Sequence, residues 1–84
     1  MKDNKNEMVM WRIYQVYVWP EIQRKTKVDL VLFYKKNIDF LRGKDKWEIV
    51  FEFYVFIFES CIHRKKLSLN PLECRIFLAN ILIK

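Results

Sequence analysis

The sequence of 84 residues contains very little glycine, proline and cysteine: one Gly, two Pro and two Cys. This composition excludes a collagen-like chain and a flexible Gly/Ser linker, and two cysteines are too few for a disulfide-stapled miniprotein. Loops that cradle phosphates need several glycines, which excludes Walker-type and dinucleotide sites. With 52% hydrophobic and 17% aromatic residues, the chain has enough apolar material for a core, and this excludes intrinsic disorder.

Long apolar runs are also missing. The longest runs without a charge are residues 13–20 and 76–83, eight residues each, whereas a membrane-spanning helix needs about 18 or more apolar residues. The first ten residues are charged and polar, without the apolar core of a secretory signal. We therefore predict no transmembrane segment and a cytoplasmic location, in the host cell if the protein is viral. The length predicts one small domain, residues 1–84, with a short disordered tail, residues 1–7.

Three segments have the composition or the alternation of β-strands. Met8–Trp19 and Trp47–Ile62 are dense in β-branched and aromatic residues. Apolar residues alternate with period two over Val28–Tyr34. Pro20 is expected to end the first strand, because it donates no ladder hydrogen bond. Between Val28–Tyr34 and Trp47–Ile62, the residues Asn37–Lys46 are expected to form a connection with one short helical turn.

The C-terminal segment carries the signals of a helix. Asn70 is a good N-cap, Pro71 suits the first helical position, and Glu73 lies three residues after the cap. The residues that follow are apolar on nearly every side, so the helix should be buried against another element. Four of them lie within an arc of about 60° on the helical wheel, and we expect this ridge to face the sheet: Leu72, Ile76, Ala79 and Ile83.

Together these segments predict an α+β fold, in which a small antiparallel sheet of three to four strands is packed by one C-terminal helix. The alternative is a small helical bundle with Trp47–Ile62 as its central helix. Glu48, Glu52 and Glu59 would then lie within about 40° of one another, as one narrow acidic stripe. Aromatic residues on both faces of a sheet that one helix covers would leave apolar area exposed. This predicts a homodimer or a protein partner.

Few side chains could carry catalysis or hold a metal. His63 is the only histidine, and the spacing of Cys61, His63 and Cys74 matches no usual structural zinc site. A nucleophilic cysteine needs a positioned base and an oxyanion hole, and the sequence indicates neither. The ten acidic residues are scattered rather than paired for acid–base catalysis. We predict no enzymatic activity, no cofactor and no metal.

Positive charge is the one organised feature of the sequence. The chain has 16 Lys and Arg against 10 Asp and Glu, a formal net charge of +6. The cations concentrate between the predicted elements, and in an up-and-down sheet the first and third connections lie at the same end. Phosphate groups of nucleic acid are the partner that such a cluster favours. The predicted nucleic-acid-binding residues are Arg24, Lys25, Lys27, Arg64, Lys65 and Lys66.

The segment Phe56–Leu82 resembles the start of a winged-helix DNA-binding domain of the response-regulator type. In that family a strand, a basic turn and a short strand lead into a helix that opens on a Leu-x-Pro-x-Glu-like cap, here Leu69, Pro71 and Glu73. The resemblance covers under a third of the chain and does not extend to the recognition helix and the wing of that family. We assign the chain to no family on this basis.

Three classes of function remain. The first is a small basic, non-enzymatic protein that binds nucleic acid or a ribonucleoprotein surface through basic loops. The alternative is a protein-interaction module, such as a small viral inhibitor or an accessory subunit. The third is a peripheral membrane protein, for which the Phe-rich segment 47–62 would be an exposed interfacial helix. A Lys-rich chain with one Ala and one Gly is also what an AT-rich genome encodes, so charge alone does not separate these classes.

Overall fold

The computed structural model describes residues 4–25 and 28–82, and within these residues every regular element is helical. The predicted α+β fold with an antiparallel sheet is therefore wrong, and the alternative, a small helical bundle, is confirmed. Helix α1 begins at Asn4, inside the segment predicted as a tail. The elements are α1 (Asn4–Ile13), a π-helical turn (Tyr14–Val18), α2 (Trp19–Lys25), α3 (Val28–Lys36), α4 (Ile38–Leu41), α5 (Lys46–Arg64) and α6 (Pro71–Leu82).

Helix α5 is the centre of the bundle and contacts the π turn, α2, α3 and α6. A helix that is packed on several sides needs apolar residues around most of its circumference. The segment 47–62 therefore lacks the polar face of a surface helix, and its β-branched and aromatic content follows from packing rather than from strand formation. The strand prediction for this segment is wrong. Its buried apolar residues are Phe53, Val55, Ile57, Phe58, Cys61 and Ile62.

The N-terminal helices place one apolar face against α5. The predicted strand over Met8–Trp19 is wrong, because the buried residues recur at intervals of three and four, the period of an α-helix. None of the elements described for this segment is extended. The buried residues of this face are Met10, Ile13, Tyr14, Val18 and Ile22.

Pro20 lies inside a continuous helical stretch. The prediction that it ends a strand is wrong. In an ordinary α-helix the ring of Pro20 would clash with the carbonyl of Val16, four residues earlier. The preceding turn is widened instead: the Trp19 N–H donates to the Tyr14 carbonyl, five residues back. The extra residue in this turn moves the carbonyls away from the proline ring.

The predicted strand over Val28–Tyr34 is also wrong, since these residues form most of α3. Leu30 and Phe33, three residues apart, pack against the core, and the Phe33 ring lies 5.4 Å from the Phe53 ring. The short alternation reflects apolar residues on more than one side of a short helix. After α3, the predicted connection with one short helical turn is confirmed as α4.

The prediction of a C-terminal helix is confirmed by α6. Pro71 is its first residue, and the Leu72 N–H donates to Asn70 Oδ1 at 2.8 Å. In the part of the chain that the structure describes, no helix is long and apolar enough to cross a membrane.

The orientation predicted for this helix is wrong. Leu72 is 63% exposed and Ile76 47% exposed, and Ala79 is half-buried; Ile83 lies outside the described residues. The face that packs on the bundle is the opposite one, with Cys74, Phe77 and Leu78 buried. Because apolar residues surround α6 almost completely, the helical wheel offers several ridges and does not select the buried one.

The N-terminus of α5 is fixed by a capping box. The Glu48 N–H donates to Asp45 Oδ1 at 2.8 Å, and the Asp45 N–H donates to Glu48 Oε1 at 2.9 Å. We expect Asp45→Ala to lower the free energy of unfolding by about 1 kcal/mol, because the Glu48 N–H at the start of the central helix loses its acceptor.

Urea denaturation measures the loss, with Asp39→Ala as the matched control. The Asp39 carboxylate is 94% exposed and lies 3.6 Å from Arg42, so its removal should change stability by less than about 0.5 kcal/mol. Equal midpoints for Asp45→Ala and the unsubstituted chain would contradict a contribution of the cap to stability.

Candidate functional site

Cations from the ends of α2 and α5 meet at one acidic side chain, Glu21. Arg24 Nη2 lies 2.7 Å from Glu21 Oε1, and Lys25 Nζ lies 3.3 Å from Oε2. Arg64 Nη2, from α5, lies 3.4 Å from the same Oε2. The hydrogen bond from Arg24, followed by the contact with Lys25, lowers the pKa of the Glu21 carboxyl. Glu21 therefore stays ionised and holds three cations at one end of the bundle.

Exposure differs sharply within this group. The Glu21 side chain is 16% exposed, whereas the side chains of Arg24 and Arg64 are 65% and 57% exposed. The acid thus lies beneath the cations, and the guanidinium groups face solvent. A guanidinium has five N–H donors, so contact with one carboxylate leaves it able to bind a second anion.

Two further lysines extend the group along the chain. The Lys65 Nζ lies 4.4 Å from the centre of the Tyr17 ring, a cation–π contact. Lys66 has a φ of 54°, and its N–H donates to the His63 carbonyl at 3.1 Å. We call Arg24, Lys25, Arg64, Lys65 and Lys66 the basic cluster. Lys27, the sixth predicted residue, lies outside the described residues.

The backbone at Lys66 is that of a helix C-terminus at which glycine is favoured. The Leu67 N–H donates to the Ile62 carbonyl at 3.1 Å, which together with the positive φ of Lys66 completes a Schellman motif. A residue with a Cβ in this conformation costs roughly 1 kcal/mol compared with glycine. The chain therefore has a lysine at a position at the end of α5 where glycine would make the fold more stable.

Three of the predicted residues, Arg24, Lys25 and Arg64, come together for a reason other than the predicted one. We expected them in two connections at one end of a sheet; instead they lie in the last turns of α2 and α5. The C-terminal end of a helix carries partial negative charge, and a cation there stabilises the helix by typically 0.3–1 kcal/mol. The same positions thus serve helix stability and concentrate charge.

Sequence analysis missed Glu21, the acid that organises the cluster. Its signal was the spacing, because Glu21 precedes Arg24 by three residues and Lys25 by four, the distances at which side chains meet on a helix. Beside Glu21 is a depression of about 310 Å³ with an apolar side and a cationic rim. Its lining includes Val16, Tyr17, Pro20, Arg64 and Lys65.

A second, larger depression lies between the beginning of α5 and the end of α6. We call it the α5–α6 groove; it has a volume of about 710 Å³, and its apolar lining includes Trp47, Phe51, Tyr54, Ala79 and Leu82.

An ion pair borders the groove. Arg75 Nη1 donates to Glu52 Oε1 at 3.1 Å, and Arg75 Nη2 contacts Glu52 Oε2. The Glu52 side chain is 9% exposed, and its hydrogen bond raises the pKa of Arg75. The Arg75 guanidinium also lies 5.1 Å from the centre of the Phe51 ring.

The residues that could carry metal or thiol chemistry are dispersed. Across residues 4–25 and 28–82, no group of three or more His, Cys, Asp or Glu side chains is arranged to hold a metal ion. Cys61 and Cys74 are buried and free. Burial, with smaller effects of Glu59 and Glu73, raises the pKa of the Cys74 thiol to about 11. Cys74 is therefore protonated at neutral pH and is a poor nucleophile.

The chain was compared with family models, with curated proteins and with solved structures, and none of them matches it.

Proposed function

We propose that the chain is a small non-enzymatic protein that binds nucleic acid through the basic cluster. The observation that supports this proposal most strongly is the convergence of Arg24, Lys25 and Arg64, from two separate helices, on Glu21. One acid fixes three cations, and the two guanidinium groups remain more than half exposed. Such an arrangement offers several donors to the closely spaced phosphates of a nucleic-acid backbone.

A variant with four Gln substitutions in the cluster tests the proposal: Arg24→Gln, Lys25→Gln, Arg64→Gln and Lys65→Gln. Binding to mixed-sequence DNA and RNA is measured over a range of salt concentrations. We expect the log–log salt dependence of binding to flatten by roughly 3 units, because about four phosphate contacts are lost. The fold should persist with lower stability, because Glu21, 16% exposed, loses its three cations but can still accept hydrogen bonds from the Gln amides that replace them.

The matched control removes the same charge from the end of α3 and the start of α5: Lys35→Gln, Lys36→Gln, Lys44→Gln and Lys46→Gln. Helix α5 has 19 residues, so its ends lie about 27 Å apart. The control should retain most of the salt dependence. The proposal fails if both variants lose it equally, or if the unsubstituted chain does not bind nucleic acid at low salt.

A protein-interaction module is the second candidate, and the apolar surface favours it. Among the described residues, seventeen large hydrophobic side chains are exposed, and Trp47 is 81% exposed. Binding through such a surface should depend weakly on salt. The four cluster substitutions should leave it unchanged, which separates the two candidates in one titration.

A further inference from the structure

We propose that the chain forms a symmetric homodimer, in which an apolar ridge on α6 of each copy packs into the α5–α6 groove of the other. This inference goes beyond nucleic-acid binding and rests on other residues.

The ridge consists of Leu72 and Ile76, one helical turn apart, followed by Ala79. Leu72 is 63% exposed and Ile76 47% exposed. These residues lie on the side of α6 opposite Cys74, Phe77 and Leu78, which pack on the bundle. A small protein gains nothing in water from two large aliphatic side chains on one exposed ridge, whereas a partner that covered them would remove their apolar surface from water.

The groove that receives the ridge begins beside it. Ala79 follows Ile76 by three residues on α6 and also lines the groove, so the two features form one continuous surface. Trp47, 81% exposed, forms another part of the lining. A two-fold axis near Ala79 would place the ridge of each copy in the groove of the other, as an isologous interface requires. The small side chain of Ala79 allows the two α6 helices to approach closely.

The exposed apolar side chains supply a substantial part of the area that a second copy would bury. The large apolar side chains of this surface are Trp47, Leu72, Ile76 and Leu82. From their exposed fractions they present on the order of 450 Å², about half of the roughly 800 Å² that each partner buries in a typical stable complex. The half-buried floor of the groove adds to this. The accessible surface of the chain is 6560 Å², against roughly 5400 Å² for a folded monomer of this mass.

The charges on this surface also favour a second copy over a polyanion. Although the chain carries +6, the charged residues that line the groove include three acids, Asp45, Glu48 and Glu52, against Lys44 and Arg75. Two copies that meet here therefore face each other with mixed charge rather than with their positive ends. The basic cluster lies at the other end of α5 and remains accessible in such a dimer.

Analytical ultracentrifugation over a wide concentration range tests the proposal. The unsubstituted chain should show a concentration-dependent dimer. Ile76→Asp and, separately, Leu72→Asp should weaken dimerisation at least about 100-fold, because each interface would bury two unpaired carboxylates. Both variants should keep the far-ultraviolet circular dichroism of the helical fold. Val31→Asp is the matched control, since Val31 on α3 is 51% exposed, and it should dimerise like the unsubstituted chain.

Three results would overturn the proposal. The first is an unsubstituted chain that remains monomeric at the highest concentration. The second is dimerisation of Ile76→Asp and Leu72→Asp with undiminished affinity, or loss of the dimer in Val31→Asp alone. The third is unfolding of the Ile76→Asp monomer, which would place Ile76 in the core rather than on the surface. Each result is independent of whether the basic cluster binds nucleic acid.

Discussion

Phe58→Ala should lower the free energy of unfolding by about 3–5 kcal/mol, because it leaves a large cavity at the centre of the bundle. Phe58 is fully buried, and its ring lies 6.5 Å from the Tyr14 ring and 6.1 Å from the Phe77 ring. It therefore joins the N-terminal helices to α6 through α5. Since small domains are stable by about 5–15 kcal/mol in total, this loss is a large share of the stability.

Phe56→Ala is the control for this variant, because it removes the same side chain two positions earlier. Phe56 is 51% exposed, although its ring lies 5.3 Å from the Phe33 ring. The loss should be below about 1.5 kcal/mol, since only part of the ring is removed from water on folding. Denaturant unfolding of both variants gives the comparison, and equal losses would show that the centre of the bundle is not at Phe58.

Arg75→Met should lower the free energy of unfolding by about 2–3 kcal/mol. The substitution keeps much of the aliphatic stem but removes both hydrogen bonds to Glu52, whose side chain is only 9% exposed. A carboxylate is then left nearly buried without its partner, and that penalty exceeds the loss of an ordinary surface ion pair. Arg75 itself is 42% exposed, so water reaches the ion pair and limits the loss of stability to about 2–3 kcal/mol.

The double variant Glu52→Leu/Arg75→Met separates the two contributions. With both charges replaced by apolar groups of similar size, no unpaired carboxylate remains, and stability should return to within about 1 kcal/mol of the original. Arg42→Met controls for loss of a cation, because Arg42 and Asp39 are 74% and 94% exposed. All measurements are made at a dilution at which every variant is monomeric. A single Arg75→Met variant as stable as Arg42→Met would contradict a stabilising role for the pair.

The sequence predicts local boundaries of this fold better than its class. Asn70 and Pro71 mark the start of α6 because a cap and a proline at the first helical position act over only a few residues. The fold class depends on how segments pack, and packing overrode a weak preference for strands in all three segments. A signal for α5 was nevertheless present: Asp45, with Glu48 three residues later and an apolar run beyond, is typical of a helix start.

The candidate site, too, could be predicted from the sequence only in part. The sequence places Arg24 next to Lys25 and Arg64 next to Lys65, but the meeting of the two pairs was expected from a sheet that the protein does not have. Their dependence on Glu21 could not be predicted, because the contact between Glu21 and Arg64 joins two helices and exists only once those helices are packed. The ridge on α6 was expected to be buried within the chain, and only the fold shows that it faces outward.

The π turn at Tyr14–Val18 sets the rotational phase between α1 and α2. The turn holds one residue more than an α-helical turn, so its five residues advance the helix by about the rotation that four residues give in an α-helix. If the same five residues relaxed to ordinary α-helix, everything that follows would rotate by roughly 100° around the helix axis. Ile22 would then leave the core, and the Glu21 carboxylate would turn away from Arg64, which lies 3.4 Å from it in the present arrangement. The contact that joins the two helices of the basic cluster therefore depends on the width of a single helical turn that precedes Glu21.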